Sequence, residues 1–466
     1  MLQGILWNIL ACTDARNESH QTEQSNIEHD ESSKTMNVSI DPYQDILRDK
    51  ALHNQHAYER LIELCDDIGH RISGSPELDR AILWTQEKMK EDGLINVHTQ
   101  DVLVNYWKRG EEKLILHSPT NVELPMLGLG MSIATPATGI RAEVVVVRSF
   151  DELENLDDVF VQDKIVLYNA PFTTYGETVQ YRSKGASRAA QKGAVASLVR
   201  SVSPSSYQSP HTGALSYDED YKIPAAAITL EDAERFQRWQ DRGKRIDVEL
   251  YMEAMTEKNV PSANVIGEIQ GSQRPDEIVV IGGHLDSWDV GQGAQDDGAG
   301  VVIAMETARL IAELPTPPKR TLRVVLFTNE ENGLAGAKGY ADVYGESDNH
   351  YAAIEADIGA GNPLYFSFKT PLDRPDLEER AKKIVSDMTP LLQHLGLKDF
   401  EAGYAGADVN PIIEKGSVGF GLRMDTTGYW PIHHTQADTV DKVNPEHLQK
   451  NIAALSSLTW YLLNVP

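Results

Sequence analysis

Cysteine is nearly absent: the 466 residues include two, Cys12 and Cys65. That excludes a disulfide framework and any cysteine-built zinc module, so a metal bound here has to be held by histidine and carboxylate. Basic charge is scarce as well. The 43 Lys and Arg stand against 70 Asp and Glu, a formal net charge of -27, and such a field repels phosphate backbones and argues against nucleic acid as a partner. No apolar run reaches the roughly 20 residues that span a bilayer, so no integral membrane span is expected. Neither Gly-x-Ser-x-Gly nor His-Glu-x-x-His occurs, which removes the serine-hydrolase elbow and the helix-borne zinc site. Internal repeats are also missing. What is present is a composition of 41% hydrophobic and 24% charged residues, that of a globular protein with ample core.

The length suggests two or three folding units. Residues 1–38 read as leader and tether. Ile9-Leu10-Ala11-Cys12 resembles a bacterial lipoprotein box, in which Cys12 would carry a lipid anchor, and a tract rich in Asn, Gln, Glu and Ser follows, the composition of a solvated linker. The segment lacks a basic n-region, so a plain apolar tail is the competing reading. The expected location is secreted or cell envelope. Residues 39–120 carry two amphipathic helical patterns separated by His70-Arg71-Ile72-Ser73-Gly74-Ser75-Pro76, then an alternating strand near 97–104. Residues 121–255 read as a self-contained α/β insert, with strands near 143–148, 164–168 and 194–199 around a helix near 179–191. In residues 256–466 strands near 277–283, 321–328 and 351–357 alternate with helices near 298–313 and 334–344. That order predicts an α/β fold whose mixed, largely parallel sheet is flanked by helices.

Ligands of such sheets gather at the carboxyl ends of the strands, and three strands here end in metal-binding residue types: His284, Glu330-Glu331 and Asp357. Taken singly, each is more often a loop or capping residue; jointly they point to one site. In Gly283-His284-Leu285-Asp286 the imidazole is a neutral ligand, and Asp286 is placed to accept its other ring N–H and fix the tautomer. Asp296 opens a glycine-rich entry to a helix, where a carboxylate with both oxygens free can bridge two cations. Gly291 and Gly293 imitate part of a dinucleotide fingerprint, but Asp296 occupies the third glycine's position and would repel a pyrophosphate. Adjacent glutamates in a strand face opposite ways, yet a turning backbone lets both reach one cavity. One is then tied to metal while the other accepts a proton from water. Of His433 and His434, one completes a second metal site and the other faces substrate.

In order and approximate spacing, His284-Leu285-Asp286, Asp296-Asp297, Glu330-Glu331, Asp357 and His434-Thr435 resemble the co-catalytic zinc exopeptidases, a family that includes leucyl aminopeptidases and glutamate carboxypeptidases. The likeness runs from about residue 58 to the C-terminus. It implies the zinc-exopeptidase fold and two zinc ions per chain, one held by His284, Asp296 and Asp357, the other by Asp296, Glu331 and His434. It implies Glu330 as general base and a cis peptide between Asp296 and Asp297, and it makes residues 121–255 a protease-associated domain between the two parts of a peptidase domain, 39–120 and 256–466. The activity implied is hydrolysis of dipeptides or short peptides, as a carboxypeptidase or dipeptidase; aminopeptidase action on the same dizinc site is the alternative. A non-catalytic, receptor-like binding module is disfavoured because every ligand position is filled. The stretches 406–408 and 429–432 depart from the relatives and should shape specificity. The substrate terminus that is read stays open: Lys369, Arg423 or Arg182 would suit a carboxylate, whereas Asp408 would suit an amine and His433 would face substrate. The expected partners are a peptide and, in a homodimer, a second copy.

Overall fold

Runs such as Ile278-Val279-Val280-Ile281 and Val324-Val325-Leu326-Phe327 have no polar face, so they are stable only where both sides of a sheet are covered. The computed structural model describes residues 41–466; the Cys12 motif and the tether lie outside the described residues. Both runs sit at the centre of a mixed sheet of eight strands among the described residues: β1 (Ile95–Lys108), β2 (Met255–Ile269), β3 (Arg274–His284), β4 (Arg320–Phe327), β5 (Asn349–Glu355), β6 (Pro363–Lys369), β7 (Glu401–Ala402) and β8 (Val418–Met424). Their spatial order is β1-β2-β4-β3-β5-β8-β6-β7. The central four, β4-β3-β5-β8, run parallel, while β2 joins β4, and β6 joins β8, in antiparallel fashion.

Helices cover this sheet for reasons written in their sequences. Ala299–Ala312 is apolar nearly all round and correspondingly buried; it packs on β3 and on the C-terminal helix Pro445–Asn464. Helix Pro76–Glu91 has Pro at its first position and Ser75 as N-cap, accepting from the Leu78 amide at 3.1 Å, and turns Leu78, Ala81, Ile82 and Met89 inward. The helical pattern ahead of residue 70 resolves into two helices, Pro42–Leu52 and His56–Ile62. Asn54 separates them, its side-chain amide donating to the Lys50 carbonyl at 2.7 Å. Strands β2, β6, β7 and β8 were not anticipated. The outer half of β2 is exposed and polar, and in β8 Gly419 and Gly421 sit between the alternating Val418, Phe420, Leu422 and Met424, glycine being a weak strand former.

A second sheet of eight strands draws on residues 112–252. Its order is Val122–Leu124, Glu112–Ser118, Asp247–Met252, Ile140–Val147, Ile165–Tyr168, Ala196–Arg200, Ala225–Ile228 and Met126–Gly128. Its core takes in Ile72, Trp107 and Trp288, and Trp107 meets Trp288 edge-on at 6.3 Å between ring centres. Among the described residues no helix is long and apolar enough to cross a membrane.

The tightest seam lies where the buried helix meets the end of β5. A Cβ on Gly300 would collide with the Ala356 carbonyl and the Asp297 carboxylate. Gly300→Ala is therefore expected to destabilise the protein by roughly 1–3 kcal/mol through overpacking. A lowered urea midpoint is the readout, and a wild-type midpoint would show that the helix has room to shift.

Candidate metal centre

The parallel register sets the site. On β3, flanked by β4 and β5, His284 stands opposite Phe327 of β4 and Gly282 opposite Glu355 of β5. Glu330 and Glu331 follow Phe327 within four residues and Asp357 follows Glu355 by two, so all arrive at one end of the sheet. His284 donates from Nδ1 to the Asp286 backbone carbonyl at 2.9 Å, which leaves Nε2 as the free ring nitrogen. That Nε2 lies 3.2 Å from Asp296 Oδ1 and 3.4 Å from Asp357 Oδ1. The other Asp296 oxygen, Oδ2, is 3.2 Å from His434 Nε2, itself 3.1 Å from Glu331 Oε2. His434 Nδ1 faces the Thr212 carbonyl at 3.3 Å, so its Nε2 is free in the same way. Donor atoms bonded at about 2 Å to one tetrahedral ion lie roughly 3.3 Å apart, and these spacings match. The Asp296–Asp297 peptide is cis.

His433 is brought in too. Its Nε2 is 3.3 Å from Asp296 Oδ2, and its ring stacks on His434 with centres 3.6 Å apart. Of the two, His434 is the one that also meets Glu331. The His433 ring instead lies among Tyr175, Tyr429 and Trp430. These residues, with Arg182, Tyr404 and Arg423, line a cavity of about 370 Å³ over the cluster. A second cavity of about 850 Å³ is also bounded by Glu330 and Glu331.

Two expectations are corrected. The Asp286 carboxylate does not take the His284 ring proton: its Oδ1 is 3.8 Å from Nδ1, and the backbone carbonyl has taken that place. The carboxylate instead accepts from Ser73 Oγ at 2.8 Å and from the Glu330 and Glu331 amides at 3.1 and 3.4 Å, so it fixes the glutamate pair. Asp408 does not face the cavity. Its own amide and its neighbours' amides are captured by Glu355, with Ala407 donating to Oε1 at 3.1 Å and Asp408 and Val409 to Oε2 at 2.9 Å. The loop held this way turns the Asp408 carboxyl inward, 0% exposed, and Tyr404, Ala405 and Gly406 form the wall instead.

Three residues escaped the sequence reading. Arg71, fully buried, donates from Nε to the Leu285 carbonyl, from Nη1 to those of Gly69 and Gln292, and from Nη2 to that of Gly293, all at 2.8–2.9 Å. It clamps the glycine-rich entry to Asp296. Asp438 accepts from the Gln295 and Asp296 amides at 2.8 and 3.2 Å, and Glu355 anchors the cavity wall. Only the second left a trace, an acid four residues after His434.

Burial and mutual repulsion dominate the electrostatics. Burial first, then neighbouring acids, push Glu330 and Asp408 well above the usual carboxyl range, Glu331 up to about 7 and Glu355 up to about 8. Asp438 is raised to about 7 for the same reasons. Asp296 goes the other way: burial opposes its charge, but hydrogen bonds with His284 and His434 hold it well below. Burial likewise opposes charge on His434, yet Glu331 and Asp296 raise it to about 9. A cleft with this surplus of buried carboxyls calls for cations. The arrangement predicts that Asp286→Asn keeps the fold but weakens divalent-metal binding about 10- to 100-fold, measured by competition with a chelator. Wild-type affinity would separate Asp286 from the site.

Comparison with known proteins agrees with this geometry. Residues 264–459 match Peptidase family M28. Carboxypeptidase Q of Xenopus laevis is 41% identical over 448 residues, 94% of this chain and 92% of that protein. The crystal structure of a peptidase M28 precursor from Shewanella amazonensis superposes with a TM-score of 0.85 at 35% identity, covering 91% of this chain and 96% of that one. A zinc aminopeptidase of Bacillus subtilis shares the fold, with a TM-score of 0.67 at 22% identity over 88% and 95% of the two chains. On this likeness the chain belongs to peptidase family M28, as a carboxypeptidase Q-like member.

Proposed function

We propose that this metallo-exopeptidase hydrolyses dipeptides and short peptides at a centre of two zinc ions. The observation that carries the reading is the division of one carboxylate, with Asp296 Oδ1 toward His284 and Oδ2 toward His434. His284, Asp296 and Asp357 would hold one ion, and Asp296, Glu331 and His434 the other. The residues fit. All are nitrogen or oxygen donors suited to zinc, the histidines present free Nε2 atoms, and Glu331 Oε1 is buried without a partner. When bound, such a pair supplies a Lewis acid for the scissile carbonyl and acidifies water.

The chain's own residues would do the rest. Glu330 lines both cavities, and its carboxylate is engaged by no side chain among the described residues. Burial and its acidic neighbours raise its proton affinity, so as a carboxylate it is suited to accept a proton from the attacking water and return it to the leaving amine. Asp286, by binding the Glu330 and Glu331 amides, keeps base and ligand in register. Residues 121–255 fit the reading as a protease-associated domain lending Tyr175 and Arg182 to the cavity. Export from the cytoplasm, to the envelope or the medium, and a homodimer belong to the same reading; fractionation and sedimentation test them.

Glu330→Gln is expected to keep its zinc and lose about 10²- to 10⁴-fold in turnover, read as amino-acid release from a dipeptide panel beside metal content. Near-normal turnover with zinc in place would take the base role from Glu330, and no release by the zinc-loaded wild type would sink the peptidase reading.

A further inference from the structure

Exopeptidase action requires a group that recognises a chain end, and a cleft so rich in carboxyls poses a particular problem for a substrate's terminal carboxylate. Three cations near the site are candidates, and the structure sorts them. Lys369, on β6, gives its ammonium to Asn410 and does not line the cavity. Arg182 lines it but has its donors in use: Nε and Nη1 face the Ala214 and Thr212 carbonyls at 3.3 Å, and Nη2 donates to Tyr175 Oη at 2.9 Å. Its Nη1 also lies 3.4 Å from His434 Nδ1, and both face the same Thr212 carbonyl.

Arg423, on β8, differs from both. Nε donates to Ser367 Oγ at 2.9 Å and Nη2 to the Tyr404 carbonyl. Ser367 Oγ donates in turn to the same carbonyl at 2.5 Å, so one edge of the guanidinium is fixed by neutral groups. Nη1 has no partner and no acid pairs with the side chain among the described residues, although the residue lines the cavity with Glu330 and Asp357. Burial lowers its basicity and the charge of Asp357 works against that. An arginine with a free donor and no ion-pair partner, lining the same cavity as the candidate base, is built for an incoming carboxylate.

The geometry points to Arg423 as the residue that binds the substrate's C-terminal carboxylate, making the 370 Å³ cavity the seat of the C-terminal residue. The inference rests on the peptidase reading and narrows it to carboxypeptidase and dipeptidase action. The larger cavity, which Glu330 and Glu331 also line, then takes the N-terminal part of the substrate. Of the two lysines on its wall, Lys222 is paired with Glu219 at 2.6 Å and the charge of Lys258 acts on the same carboxylate.

The test compares zinc-loaded wild type, Arg423→Gln and Arg423→Lys on one dipeptide as free acid and as C-terminal amide. Wild type is expected to prefer the free acid. Arg423→Gln should raise KM for the acid about 10- to 100-fold, the range of a charged hydrogen bond, with kcat nearly unchanged and the amide unaffected. Arg423→Lys, which keeps the charge without the planar fork, should recover part of the loss and covers the case of a Gln variant that fails to fold. Equal losses on acid and amide would mean a packing role and overturn the inference. Unchanged kinetics in Arg423→Gln, or a wild type indifferent to amidation, would overturn it while leaving the peptidase reading intact. A zinc-loaded wild type that cleaves neither substrate would overturn both.

Discussion

The constraint on which the structure turns is the sharing of Asp296 between two histidines supplied by distant parts of the chain. His284 comes from the parallel centre of a mixed sheet, and His434 from a turn some 150 positions later in the chain. Each meets a different oxygen of one carboxylate. A carboxylate used on both sides cannot adjust toward one partner without leaving the other. The backbone around it therefore has to be held from outside, and most of the buried polar contacts nearby serve that end.

Arg71 ties down the glycine-rich entry through backbone carbonyls, not through an ion pair. Asp438 grips the Asp296 amide, and Asp297 accepts from the His284 and Gly300 amides at 3.1 Å, joining the strand end to the start of the helix. Asp286 does the same for the two glutamates and Glu355 for the 404–409 loop. Four acids thus work as acceptors for backbone N–H groups, which satisfies part of their own burial. The remaining charge converges on the space between His284 and His434, where cations are the natural compensation.

The candidate ligand cluster was legible because metal chemistry restricts residue types and strand ends restrict position: His284, Glu330-Glu331 and Asp357 could be placed at one end of the sheet from sequence alone. The parallel centre of the sheet was legible from its unbroken apolar runs. What stayed hidden depends on long-range geometry. The choice between the side chain and the carbonyl of Asp286 as His284's partner turns on a loop conformation, and the inward turn of Asp408 on a hold by Glu355, 53 residues away in sequence. Nothing local marks Arg71, three of whose four carbonyl partners belong to residues more than 200 positions distant. Sequence alone also leaves the three cations equivalent, whereas their hydrogen bonds separate them.

The account's central claim is that Asp296 is common to two metal sites. Zinc titrated into metal-stripped protein against a competing chelator measures this most directly, in wild type and in Asp296→Ala. The account predicts two equivalents per chain in the wild type and loss of tight binding at both sites in the variant. A single equivalent in the wild type, or one site of undiminished affinity in Asp296→Ala, would contradict it.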